Sequence, residues 1–220
     1  MENLKGKCEV LSWERFHEAS VKLGDIIKKS EFQPDIIIGL ARGGWVPARN
    51  ICDFLGVKDL ISIKMEHWGD TASKDGEAVM KYPVKVDLTD KNVLIVDDVT
   101  DSGESLHVSK EYVKTLNPAK VKTATVWCFD TTPKEKLSDF YVEILPWRWI
   151  IFPWNYTEDV INLMKKMVVH YEKMHHDDIH KGMHAHFDIK LDKDVVSEML
   201  KEAERRNKLK KHDDEYWRKI

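Results

Sequence analysis

At 220 residues, with 42% hydrophobic and 33% charged side chains, the chain has room for one globular domain of ordinary size plus an appendage. A formal net charge of −3 offers no global attraction to nucleic acid or an anionic membrane, so neither is expected as a partner. No apolar run approaches the roughly 18 residues of a membrane span, and the first residues lack the apolar core of a signal peptide.

Cys8, Cys52 and Cys128 are widely spaced and odd in number, which fits buried, reduced thiols in a cytoplasmic protein better than a disulfide framework. Residues 13–29 carry Trp13, Phe16, Leu23, Ile26 and Ile27 at helical spacing, with Ser12 as N-cap. Pro34 breaks the chain before a short apolar strand from Asp35 to Leu40. Ala41-Arg42-Gly43-Gly44 reads as a turn, Val46 to Leu55 as a helix opened by Pro47, and Leu60 to Met65 as a second strand. The stretch from Glu66 to Asp90 is polar and poorly periodic, a length that is usually functional or mobile within a compact domain. A strand at 93–96, a helix to about Leu116, a strand at 121–127 and a strand from Tyr141 to Leu145 follow. Strands alternating with helices predict a mainly parallel sheet.

After an aromatic segment at 146–154 the character changes near Thr157. Long helical patterns take over, and six of the ten histidines fall between His170 and His186. His176, His180 and His184 share a helical face, which fits a metal site less well than a solvated, mixed-charge helix. Residues 192–211 predict one amphipathic helix, with Val195, Val196, Met199, Leu200 and Ala203 on one side. The basic run at 201–211 is diluted by Glu202 and Glu204.

The most informative run is Val93-Leu-Ile-Val-Asp97-Asp98-Val-Thr-Asp101-Ser102-Gly103-Glu104-Ser105. Four β-favouring residues describe a buried parallel strand, and two carboxylates stand where it should end. Ligands of open α/β sheets bind beyond the carboxyl ends of strands. The turn at 101–105 can aim backbone N–H groups and two hydroxyls at one anion, ahead of a helix N-terminus that favours phosphate. Asp97 and Asp98 suit vicinal ribose hydroxyls or Mg²⁺. A bare Asp-Asp after a strand would more often only begin a turn.

The full thirteen-residue pattern resembles, at every position, the phosphoribosyl pyrophosphate (PRPP) signature of the type I phosphoribosyltransferases. With it, Leu40-Ala41-Arg42-Gly43-Gly44 resembles the pyrophosphate loop of the family's purine enzymes, and Trp149-Ile150-Ile151-Phe152-Pro153-Trp154 resembles the base-binding stretch of the archaeal and xanthine-guanine type. The resemblance implies an α/β fold of this family, a mainly parallel twisted sheet flanked by helices. Residues 1–157 would form the core, while 158–220, which the resemblance does not reach, read from their helical patterns as a C-terminal extension serving dimerisation or as a lid. It implies purine salvage: PRPP and a purine base give a nucleoside monophosphate and pyrophosphate, with Mg²⁺, in a homodimer.

By the same resemblance Asp97, Asp98, Asp101, Ser102, Gly103, Glu104, Ser105, Arg42, Gly43 and Lys64 bind PRPP, and Asp97 and Asp98 bind metal. Asp101 and Arg42 are catalytic, Trp149, Ile150, Phe129 and Asp130 meet the base, and the stretch from Glu66 to Asp90 is a lid. The peptide before Arg42 is implied to be cis. Enzymes for 6-oxopurines place a lysine where this chain has Phe129, with the acceptor Asp130 beside it. That exchange favours adenine, giving AMP, over guanine, xanthine or hypoxanthine, giving GMP, XMP or IMP. Lys134 or Lys136 would restore the donor if the loop folds back. A PRPP-sensing regulator that contacts nucleic acid is the reading from another class.

Overall fold

The computed structural model describes residues 6–67, 78–213 and 215–220. In chain order its elements begin with β1 (Cys8–Val10), α1 (Trp13–Lys29), β2 (Ile36–Ala41), α2 (Trp45–Leu55), β3 (Asp59–His67), β4 (Ala78–Tyr82) and β5 (Asn92–Thr100). Next come α3 (Glu104–Lys114), β6 (Lys120–Phe129), a single 3-10 turn (Lys134–Lys136), β7 (Glu143–Leu145) and β8 (Trp149–Ile151). The remainder is α4 (Tyr156–His170), β9 (Lys173–His175), α5 (His176–Phe187), α6 (Lys193–Arg205), β10 (Leu209–Lys211) and β11 (Tyr216–Lys219).

By contacts the chain divides into two units, residues 14–147 and residues 1–13 with 148–220. The division falls ahead of the change of character at Thr157, so the aromatic stretch from Arg148 onward groups with the C-terminal helices.

The first unit holds a six-stranded sheet in the order β4-β3-β2-β5-β6-β7, parallel throughout except for β4. Its central strands are continuous apolar runs because both faces are covered. Ile36, Ile38 and Leu40, with Val93 and Ile95, pack against Leu106 and Val113 of α3. On the other face a Cβ at Gly39 would lie 3.0 Å from the Ala48 Cβ of α2, so this strand and helix approach closely because Gly39 has no side chain.

The polar stretch after Glu66 departs from expectation. Residues 68–77 of the expected lid lie outside the described residues, but β4 then pairs with β3. Val84, Val86 and Leu88 alternate onto the α3 face, with the Val84 carbonyl accepting from the Tyr112 hydroxyl at 2.9 Å. A two-residue apolar period inside a charged stretch supplies that packing.

The second unit is not purely helical, which corrects the expected extension. Met164, Met167, Ile179, Met183, Val196 and Leu200 from α4, α5 and α6 form its core together with Trp217. Trp217 comes from a three-stranded antiparallel sheet, β10-β11-β9. The helix expected over 192–211 stops at Arg205 because Asn207 takes a left-handed φ of 54° and the Lys208 amide returns to the Ala203 carbonyl at 2.8 Å. His176, His180 and His184 do share α5, yet each turns elsewhere: to the Ser197 hydroxyl and the Leu191 carbonyl at 2.9 Å, and to Asp188 at 3.6 Å. Among the described residues no group of three or more His, Cys, Asp or Glu is placed to hold a metal ion, and no helix is long and apolar enough to cross a membrane.

One half-buried ion cluster secures the far edge of the sheet. Asp139 accepts from Lys110 and Lys122, each at 2.8 Å, and from the Thr123 amide at 2.8 Å. Burial alone would raise its carboxyl, but these donors outweigh that and hold it at about 2. With the folded value below the unfolded one, its stabilisation is present above about pH 4 and is lost as pH falls through about 2. We expect Asp139→Asn to lose about 2 kcal/mol of unfolding free energy at pH 7, with the deficit shrinking below about pH 3. Urea melts of both proteins across pH 2–7 measure it, and an unchanged gap throughout would contradict the assignment.

Candidate functional site

The ladder between β2 and β5 ends at the Gly39–Val96 pair, whereas β5 remains paired with β6 as far as Thr100 with Cys128. Beyond Val96 the two central strands part, at the position where the strand order changes direction. Asp97 and Asp98 were expected after the end of their strand. They lie within it, because β6 continues to support β5 where β2 has left.

The turn after β2 enters this gap. A Cβ on Gly44 would collide with the Val96 carbonyl and lie 2.8 Å from the Asp97 Cα, and one on Gly43 would fall on the Asp98 carboxylate. Gly44 cannot carry a side chain while the turn stays this close to β5, and at Gly43 the Asp98 carboxylate would have to move aside. The Ala41–Arg42 peptide is cis, as the resemblance implies. Arg42 itself is exposed, and Lys64 is the β3 partner of Ala41, with its Nζ 5.8 Å from the centre of the Tyr82 ring.

The two acids are locally restrained: Asp97 Oδ1 accepts from the Asp98 amide at 3.0 Å and Asp98 Oδ1 from the Val99 amide at 2.8 Å. Burial, and then the neighbouring Asp98 charge, push the Asp97 carboxyl well above the usual range, with the Asp98 and Gly44 amides opposing. A pair of adjacent hard oxygen donors fits a divalent cation such as Mg²⁺, whose remaining ligands would come from substrate and water.

At the end of β5 the chain encloses a cavity of about 170 Å³ lined by Asp97, Thr100, Asp101, Ser102, Gly103 and Ser105 among others. Gly103 takes φ 75° and caps α3, its carbonyl accepting from the His107 amide at 3.0 Å, while the Ser102 hydroxyl accepts from the Glu104 amide at 3.3 Å. Beneath the loop, Thr132 Oγ1 lies 2.6 Å from the Asp101 carbonyl and 3.0 Å from that of Thr100. A chain of buried hydroxyls continues from Thr100 to Thr125 at 3.0 Å and on to Ser138 at 2.7 Å. Lys136 pairs with Glu104 at 2.6 Å, so its ammonium serves the loop instead of the base position considered for it.

The residues expected to meet the base fall in both units. In the first, Phe129 is buried at the end of β6, with its ring 6.3 Å from that of Trp147. Asp130 Oδ1 accepts from the Trp147 amide at 3.1 Å, so this carboxylate holds the aromatic turn. Trp147 is 42% exposed. In the second unit Trp149 is 39% exposed and Ile150 is buried. Sequence reasoning missed Thr132 and the Lys136–Glu104 pair, since neither contact has a local signal.

Residues 10–160 match the family model described as the phosphoribosyl transferase domain, and the chain belongs to that family. It is 32% identical over 153 residues to a xanthine-guanine phosphoribosyltransferase of a Ruegeria species, covering 66% of this chain and 84% of the relative. A second xanthine-guanine phosphoribosyltransferase, from Cereibacter sphaeroides, is 31% identical over 153 residues, covering 66% of this chain and 85% of its own. Among solved structures, the purine phosphoribosyltransferase of Pyrococcus horikoshii aligns with a TM-score of 0.59 at 34% identity, covering 67% of this chain and 93% of that one.

Gly103 concentrates the loop's constraints. A Cβ there would combine a positive φ with a contact of 2.5 Å to the Lys136 carbonyl. Gly103→Ala should therefore cost about 1–3 kcal/mol of stability, read from the urea midpoint at unchanged slope. A midpoint equal to the parent's would show that the loop relaxes freely.

Proposed function

We propose that this chain is a purine phosphoribosyltransferase acting on 6-oxopurines: xanthine, guanine or hypoxanthine. The observation that carries the reaction is the gap between β2 and β5, where the Arg42–Gly44 turn meets Asp97 and Asp98 beside the cavity at the end of β5. In this reading the loop from Asp101 to Ser105 anchors the 5′-phosphate through backbone N–H groups, the Ser102 and Ser105 hydroxyls and the α3 N-terminus. Asp97 and Asp98 hold the ribose hydroxyls and present oxygen ligands to Mg²⁺, which supplies positive charge to the pyrophosphate when bound.

Arg42, the adjacent backbone and Lys64 bind the pyrophosphate. A nitrogen of the base forms a bond to the anomeric carbon as the bond from that carbon to pyrophosphate breaks, and the base gives up a proton. Asp101 takes that proton, and Arg42 steadies the charge that accumulates on the departing group. Trp149 and Ile150 serve the base, Trp149 as an exposed stacking surface.

The base choice rests on two supports. The named relatives are xanthine-guanine enzymes, which favours a 6-oxopurine over the adenine expected from Asp130. The Asp130 carboxylate is moreover engaged with the Trp147 amide, which weakens its claim as acceptor for an exocyclic amine.

Pyrophosphate release measured with PRPP, Mg²⁺ and each purine should show turnover with at least one 6-oxopurine and at least tenfold lower kcat/KM for adenine, a margin worth about 1.4 kcal/mol. Adenine as the best substrate would overturn the base assignment. PRPP binding without turnover on any base would replace the enzyme with a PRPP sensor. Asp130→Asn should leave the order of bases unchanged, and an order inverted by that substitution would return Asp130 to the base site.

A further inference from the structure

The loop assigned to the 5′-phosphate faces an electrostatic difficulty. Asp97 and Asp101 line its cavity and Glu104 opens α3 beside it, so acidic side chains gather where an anion must enter. No lysine or arginine is among the lining residues. A helix N-terminus contributes only about half a unit of positive charge. The 3-10 turn after β6 brings in the missing cation. Lys136 Nζ lies 2.6 Å from Glu104 Oε1, with the two side chains 28% and 35% exposed.

Its backbone is fixed as well. The Lys136 carbonyl occupies the place a Gly103 side chain would need, 2.5 Å from the ideal Cβ position. Thr132, in the same turn region, ties the chain to the Asp101 carbonyl at 2.6 Å. Lys136 is therefore held against the loop by its main chain while its ammonium cancels the one charge at the helix start that would repel a phosphate. A pair this exposed contributes up to about 1 kcal/mol to folding, so its larger consequence lies in the field at the loop.

We propose that Lys136 is a positioning residue for PRPP: by neutralising Glu104 and holding the 103–104 corner, it makes the loop receptive to the 5′-phosphate. The inference rests on the loop being the PRPP anchor. It also recasts Glu104 as a balanced counter-charge rather than a direct ligand.

Calorimetric titration of Mg²⁺ and PRPP into the wild type, Lys136→Met, Glu104→Gln and the double variant tests it. Lys136→Met should weaken PRPP binding about tenfold, the scale of one partly screened unit charge near an anion. The double variant should return to within about threefold of wild type, because the repelling carboxylate has gone with its partner. The defect of the single variant should also shrink as salt rises to about 0.5 M, where screening acts within a few ångström. A wild-type Kd in Lys136→Met, or a double variant as weak as the single one, would overturn the proposal. PRPP binding by the wild type without turnover would sink the proposed reaction while the Kd series still decides on Lys136. No PRPP binding by the wild type would overturn both.

Discussion

The site depends on where two neighbouring strands stop pairing. While β2 and β5 share a ladder, their backbone groups satisfy each other and no ligand can enter between them. After the Gly39–Val96 pair β2 turns away, but β5 keeps its bonds to β6 for a further stretch. The result is a crevice with one rigid wall. That wall carries Asp97 and Asp98, and the Arg42–Gly44 turn approaches it through its two glycines. Gly44 follows from this as a steric requirement, since a Cβ there would meet fixed backbone, while one at Gly43 would displace the Asp98 carboxylate. The raised Asp97 carboxyl follows too, because the same close approach removes water from around it.

The cavity at the end of β5 is supported from below in a comparable way. Thr100, Thr125 and Ser138 form a buried hydroxyl chain, and beside it the Thr132 hydroxyl donates to the loop's own carbonyls. Buried polar groups of this kind stabilise only when each has a partner, and here they are satisfied across β5, β6 and the segment after β6. The loop's shape is thus fixed from behind by Thr125, Thr132 and Ser138, with Thr100 at the cavity wall. A loop fixed in advance loses less entropy when an anion binds than one that must first be ordered.

The sequence was informative where the determinants are local. The apolar run at 93–96, the acids behind it, the glycine that must take a positive φ and the helix that follows all lie within one short segment, and each has a residue-level cause. Helices α1 and α2 were legible from apolar spacing for the same reason. What escaped was non-local or weakly marked. The antiparallel sheet of β9, β10 and β11 joins residues from 173 to 219, and its strands are only three or four residues long. Too few alternating positions remain in such strands for a period to emerge, and a basic stretch next to a good helix reads as more helix. The packing of Val84, Val86 and Leu88 was hidden by the charged residues interleaved with them.

Asp130 shows the limit most clearly. As an isolated residue type it is an acceptor, and an acceptor beside a purine argues for adenine. A carboxylate's capacity is allotted by its surroundings, however, and here one oxygen is assigned to the Trp147 amide at the far end of the next strand's turn. The same applies to Lys136, whose ammonium counted as a free donor until the fold paired it with Glu104. Two arguments about base choice, one for an acceptor and one for a donor, both treated side chains as unassigned. The segment after β6 gives each a partner, one in the aromatic turn and one at the start of α3. Residue type alone therefore assigns neither side chain to a base, because each has a partner that only the fold reveals.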